Sequence, residues 1–223
     1  MIDRKSETKL IQKIISNWIL KNSKYKSSIW ENSLISKRIT SWIMCSDMIL
    51  ANCSFDFKRN FLSSIVSQIN HLKYNLRFER DRSVRLEILT ALILSGLVFK
   101  EYKENFETSI RELEKLVKNY FDNDGFPISR SPNQLIFFTK FLIFLKECIR
   151  DAQKYVPDFL NDIVEKNISC VKIILTPNNN TPLFNGGTEE DISSLDKYLQ
   201  NHSLKIKDKK VVGGINVLKN KSI

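Results

Sequence analysis

The chain of 223 residues carries 35 Lys and Arg against 25 Asp and Glu, a formal charge of +10, with 42% hydrophobic and 27% charged residues. That balance excludes disorder, collagen and low complexity for the chain as a whole, and the length suits one domain or one domain plus a piece of another. Six Gly and five Pro are few, while 14 Phe supply core material, so long helices are expected rather than a sandwich or barrel of short strands.

Leu10, Ile11, Ile14, Ile15, Trp18 and Ile19 recur with the spacing of one helical face and predict a helix over 7–21, with Ser6 as its N-cap. A second is predicted over 33–51, with Leu34, Ile35, Ile39, Trp42, Ile43 and Ile49 inward. A third covers 56–77 after the cap-like Ser54-Phe55-Asp56. The fourth, 83–99, is apolar nearly all round and belongs deep in the core. A fifth spans 103–121 and ends in the turn chemistry of Asn123-Asp124-Gly125-Phe126-Pro127. Ser131-Pro132 opens a sixth over 132–150, Pro157-Asp158 a seventh that runs to Leu175, and a short eighth covers 188–200. After a polar linker at 205–210, residues 211–218 read as a single strand with no partner in the five residues that remain.

The start of the chain lacks the apolar core of a secretory signal. The most apolar stretches, 86–99 and 135–145, are shorter than the roughly 20 residues a bilayer requires. No membrane partner is expected, and the sequence as it stands reads as cytoplasmic, with a periplasmic location open to a longer form. Cys45, Cys53, Cys148 and Cys170 have no CxxC spacing and only His71 and His202 accompany them, so neither zinc nor another cofactor is expected and buried free thiols are the preferred reading.

Two arginine-bearing segments have chemistry to offer. Arg77, Arg80, Arg82 and Arg85 stand within nine residues and either hold an anion or form a solvated loop and helix start with internal ion pairs, the commoner outcome for a charge run. Arg130 follows a tight turn and precedes a helix N-terminus, whose free N–H groups favour anions, although Ser131-Pro132 alone also explains a cap. Trp18 and Trp42 are expected in the core, whereas Trp30, between helices, is the tryptophan most open to stacking on a sugar ring. His71 is more often structural in such a setting. No Ser/His/Asp or Cys/His grouping, phosphate loop or dinucleotide fingerprint is present. The positive charge is scattered over all helices without a helix-turn-helix, RNP or zinc-finger pattern, so nucleic acid is the less favoured partner and any polyanion, including an acidic polysaccharide, fits the surplus.

The stretch Trp30…Ser36-Lys37-Arg38-Ile39…Trp42-Ile43, followed by Gln68-Ile69-Asn70-His71-Leu72…Asn75-Leu76 and Leu92-Ile93-Leu94-Ser95-Gly96-Leu97-Val98-Phe99, resembles the helical domain of heparinase II/III-like polysaccharide lyases. Asp124-Gly125-Phe126…Arg130-Ser131-Pro132 and Pro182-Leu183-Phe184-Asn185 continue the resemblance in order. It implies an all-α fold, an incomplete α/α toroid of seven to eight helices over 1–203. Residues 204–223 would then be a linker and the first strand of a β-sheet domain that is separate or missing, with the chain a fragment or a shortened gene product.

The implied chemistry is β-elimination at a uronate. An Asn-His pair at the start of the 83–99 helix and a Tyr-His pair after Arg-Ser-Pro would do the acid–base work, but here these positions hold Ser83-Val84 and Asn133-Gln134. None of these four side chains is a base near neutral pH. The resulting expectation is an acidic-polysaccharide lyase in its complete two-domain form, inactive as this chain alone, with Arg38, His71, Arg82 and Arg130 binding substrate. The alternatives are a non-catalytic glycan-binding or helical scaffold protein and, second, a basic nucleic-acid-binding protein.

Overall fold

Apolar side chains at helical spacing, punctuated by caps and glycine turns, produce eight α-helices among the described residues. The computed structural model describes residues 4–175, 180–188, 192, 195, 200 and 211–216. The helices are α1 (Arg4–Asn22), α2 (Asn32–Met44), α3 (Ser46–Leu50), α4 (Phe55–Asn75), α5 (Arg82–Val98), α6 (Lys103–Tyr120), α7 (Pro132–Asp151) and α8 (Asp158–Ile174), followed by β1 (Val211–Val212) and β2 (Ile215–Asn216). The chain divides into two compact units, Met1–Arg111 and Glu112–Ile223. No helix among the described residues is long and apolar enough to cross a membrane.

In the first unit, α2 packs along α5 and both pack on α4. Ile35, Ile39 and Ile43, spaced by four, are buried, and α5 is buried without interruption from Leu86 to Ser95. The expectation of a core helix at 83–99 therefore holds. Its polar members are satisfied locally: Thr90 donates to the Leu86 carbonyl at 2.9 Å, and Ser95 accepts from Asn105 Nδ2 at 3.1 Å. Glu87 is the exception. One carboxylate oxygen lies 3.3 Å from Lys37 Nζ and the other, buried, has no partner. Gly96 is required by close approach, since a Cβ there would come within 2.8 Å of the Phe106 Cβ.

Three expectations for the helices of this unit need correction, and the first is Ser6, expected as an N-cap, which lies inside α1 because the helix already begins at Arg4. The helix predicted over 33–51 breaks at Cys45, where the backbone leaves helical geometry (φ −101°, ψ 12°). Six residues at about 100° each would carry Ile49 about 120° round from Ile43, and the break returns it to the core, where it is buried. On α1 the predicted apolar face is only half used. Ile15 is buried, but Leu10 and Ile14 remain 58% exposed, because one side of the helix alone meets α3 and α4.

In the second unit α7 packs on α8. Phe138 of α7 meets Tyr120 and Phe121 at centroid distances of 4.4 and 5.5 Å. The loop between α6 and α7 is a small closed structure. Phe121 bridges Pro127, Ile128 N donates to the Tyr120 carbonyl at 2.9 Å, and Phe126 is fully buried. At its tip Gly125 takes φ +85°, against the backbone of α8, where a Cβ would run into Lys166. Asn167 Nδ2 donates to the Gly125 carbonyl at 2.6 Å, and Cys170 Sγ to the Asp124 carbonyl at 3.2 Å.

The single strand expected over 211–218 is instead a hairpin as far as residue 216. Val211 pairs with Asn216 and Val212 with Ile215, antiparallel. Gly213 and Gly214 both have positive φ, which is the turn that joins two strands through two residues. Residues 217–218 lie outside the described residues, as do most of the expected eighth helix at 188–200 and the linker at 205–210. Of the four cysteines, which are all free, only Cys170 is buried, and Cys45 is exposed. Expecting buried thiols from apolar neighbours failed because Cys45 sits at the bend between α2 and α3, where adjacent Met44 and nearby Met48 also face outward.

Candidate functional site

Arg38, on α2, is half-buried in the first unit and held entirely by neutral groups. Its guanidinium donates to Gln68 Oε1 at 2.7 Å and to the Ile29 carbonyl at 3.1 Å, and lies 4.0 Å over the Trp18 ring. Burial pushes its pKa below the usual arginine value, yet it remains a cation at neutral pH. Gln68 on α4 is fully buried and passes the contact on, donating through Nε2 to Ser64 Oγ at 3.2 Å. Trp18 meets Trp42 edge-on at 5.5 Å, so both rings are packing elements, each half-buried.

His71 stands on the same helix, one turn beyond Gln68. Its ring lies 5.3 Å from Trp30 and 5.9 Å from Tyr25, and it is hydrogen-bonded to the Trp30 backbone. Burial lowers its pKa from 6.5, and the bond to Trp30 raises it by less. The structure thus brings His71 to Trp30. Trp30 is half-buried and anchored by Nε1, which donates to the Asn22 carbonyl at 3.2 Å. Beside it opens a cleft of about 190 Å³ lined by Ile19, Ser23, Trp30, Asn60, Ser63, Ser64 and Ser67.

At the start of α5, Asp81 is the cap. Its Oδ1 accepts from Ser83 N at 2.8 Å and Val84 N at 3.2 Å. Arg82 is exposed in the first turn, and Ser83 and Val84 follow it. The neighbouring arginines are engaged within their own segment: Arg77 lies 4.5 Å over both the Tyr74 and Phe78 rings, and Arg85 donates to the Leu76 carbonyl at 3.0 Å.

The second unit holds Arg130, in the left-handed region at φ +57°. Its guanidinium is ion-paired with Asp122. Asp122 Oδ1 also accepts from Asp124 N and Phe126 N at 3.0 and 2.9 Å, so one carboxylate organises the whole turn. Other loops close on the same place. Asn185 Nδ2 donates to the Arg130 carbonyl at 3.2 Å, and Gly213 N to Asp124 Oδ2 at 3.3 Å. Asn133 exchanges two hydrogen bonds with Thr188, at 2.6 and 3.0 Å. Gln134 Oε1 accepts from Tyr120 Oη and, at 2.6 Å, from Ser129 Oγ.

Sequence reasoning missed the partners rather than the arginines. Gln68 was visible only as part of a motif, and Asp122 carried no signal apart from its turn. The spacing Asn60, Ser63, Ser64, Ser67 is a helical face without charge, and it was the available clue to the cleft. No group of His, Cys, Asp and Glu suited to a metal ion occurs among the described residues.

Long helices, two of them capped by Ser54 and Asp81, make the described residues predominantly α-helical. The chain belongs to the heparinase II/III family: the model for its N-terminal part, Heparinase II/III N-terminus, matches residues 5–211. Its fold is similar to that of heparinase III, with a TM-score of 0.72 and 19% identity over 89% of this chain and 33% of that one. It is likewise similar to the heparan sulfate lyase HepC from Pedobacter heparinus, with a TM-score of 0.71 and 20% identity over the same shares, 89% and 33%. At such identities the likeness is one of fold. The chain spans about a third of the length of either structure. No curated protein matches it.

Proposed function

We propose that this chain is the glycan-binding helical part of an acidic-polysaccharide lyase, and that by itself it binds such a glycan without cleaving it. The family match over residues 5–211 is the observation that carries this reading. A similar fold belongs to a heparan sulfate lyase, so a sulfated or carboxylated uronate glycan is the substrate class in view. The surplus of +10 favours any such polyanion. Arg38, His71, Arg82 and Arg130 are the proposed contacts. Cleavage is assigned to a two-domain form in which these helices, over 1–203, act with a β-sheet domain reached through 204–223.

The chemistry explains the division of labour. The proton beside a uronate carboxylate is weakly acidic, so elimination requires cations or donors that stabilise the developing carboxylate charge, a base for the proton, and an acid for the departing oxygen. Arginines supply the first requirement. At 83–84 and 133–134 the chain offers a hydroxyl, an isopropyl group and two amides, none of which takes a proton near neutral pH. The amides are also committed to Thr188, Tyr120 and Ser129. That commitment favours a second reading, a glycan-binding or scaffold protein that keeps the fold without the chemistry.

Retention on immobilised heparin, together with the ultraviolet absorbance of unsaturated product from heparan sulfate and alginate, tests both. Retention that falls with salt, without product, is expected. Failure to bind any acidic glycan overturns the proposal, and product formation by the unaltered chain overturns its inactivity. Equal retention on DNA points to a general polyanion binder. Restoring Ser83→Asn, Val84→His, Asn133→Tyr and Gln134→His in a form joined to a β-sheet domain separates the two readings. Activity gained marks a lyase that lost its acid–base groups, and continued inactivity favours the scaffold.

A further inference from the structure

We propose that the cleft beside Trp30 in the first unit binds one uncharged sugar ring, stacked on the indole. Its lining residues are of two kinds. Trp30 and Ile19 are apolar, whereas Asn60, Ser63, Ser64 and Ser67, spaced along a single face of α4, and Ser23 are polar. A pyranose has the same division, an apolar face of C–H groups and a perimeter of hydroxyls, and an aromatic ring together with donors and acceptors recognises both. At about 190 Å³ the cleft suits a single ring rather than a drug-sized ligand.

The polar residues have bonding capacity left. Ser67 Oγ donates to the Ser63 carbonyl at 3.0 Å and keeps its lone pairs. Ser64 Oγ accepts from Gln68 Nε2, so its own proton is available to donate. Behind Ser64, Arg38 binds Gln68 Oε1 at 2.7 Å, which polarises the amide and fixes its direction. Arg38 and Gln68 are therefore positioning residues for this cleft. The indole is fixed too, by its bond to the Asn22 carbonyl and by an edge-to-face contact with His71. No charged side chain lines the cleft in a chain of net charge +10, so a sulfate or carboxylate finds no ion pair there, whereas a neutral ring leaves no buried charge unpaired. The cleft shares Arg38 and His71 with the elimination reading but concerns a different ligand, and its binding is read without any acidic glycan.

N-acetylglucosamine titrated at millimolar concentrations, followed by saturation-transfer NMR and by tryptophan emission, tests the proposal. Saturable binding is expected, insensitive to salt. Ser67→Leu fills the cleft from an exposed helix position and should weaken binding at least about tenfold, while Trp30→Phe should remove the emission change. If circular dichroism shows that Ser67→Leu has not folded, Ser63→Leu is read in its place. Absence of saturable transfer, or unchanged affinity in the folded leucine variant, overturns the proposal. Loss of heparin retention with sugar binding intact would fault the polyanion reading alone.

Discussion

Arg38 in the first unit and Arg130 in the second are held in opposite ways. Arg38 rests on an amide, a carbonyl and an indole face, all uncharged, so its positive charge is not cancelled by a neighbour among the described residues. Arg130 is paired with Asp122, and the pair is nearly neutral from outside. A guanidinium bound by neutral acceptors is fixed in direction and still attracts anions, whereas one bound to a carboxylate stabilises a loop. Of the four proposed glycan contacts, Arg130 should therefore contribute least.

The two units can be broken separately. Gly96→Ala in the first and Gly125→Ala in the second should each cost about 3 kcal/mol in denaturant unfolding, the first from a clash with Phe106 and the second from a clash with Lys166 plus a positive φ. A loss below about 1 kcal/mol at either position would mean that the helices part easily there. Asp122→Ala strips the turn of its organising carboxylate and should cost about 2 kcal/mol, typical for charged hydrogen bonds, whereas Gln68→Ala tests the neutral arrangement around Arg38.

Thiol chemistry offers a milder contrast. Burial, with Asp151 and Glu147 nearby, pushes the Cys148 thiol up to about 11 from 9.0. At pH 8 that leaves about 100-fold fewer thiolates than an ordinary cysteine, and the greater nucleophilicity of the more basic thiolate recovers about tenfold. An aromatic disulfide reagent should thus modify exposed Cys45 first and Cys148 at least about tenfold later, with the Cys148 rate still climbing above pH 9. A Cys148 rate that levels off near pH 9 would contradict the shift. The smallest effect expected is on glycan binding. Arg38→Ala should lower the salt concentration that elutes the chain from heparin, with affinity a few-fold weaker, and Arg130→Ala should lower it less in protein that remains folded. Equal losses would erase the contrast.

Local information made the helices legible. Ser54 accepts from Phe57 N and Pro132 opens α7, and each signal lies within one turn of what it controls. The apolar run of α5 likewise announced its burial. The same reasoning ran α2 into α3, because whether Ile49 faces the core depends on a bend at Cys45 that periodicity does not encode. It also overfilled the apolar face of α1, since Leu10 and Ile14 need a neighbour before they are buried. At 211–218 the Gly213-Gly214 pair was present in the sequence, but a two-residue strand on either side is too short to register as a hairpin.

The sequence by itself determined the all-α class, the helix positions, the heparinase II/III resemblance and the lack of a base at 83–84 and 133–134, because these follow from residue identity and near-neighbour spacing. Tertiary structure decided what each polar group is bound to. Gln68 reaches Arg38 from 30 residues away, and Thr188 reaches Asn133 from 55. A side chain's remaining capacity to bind a ligand is what its neighbours leave unsatisfied, and those neighbours are assembled only when helices distant in sequence pack together.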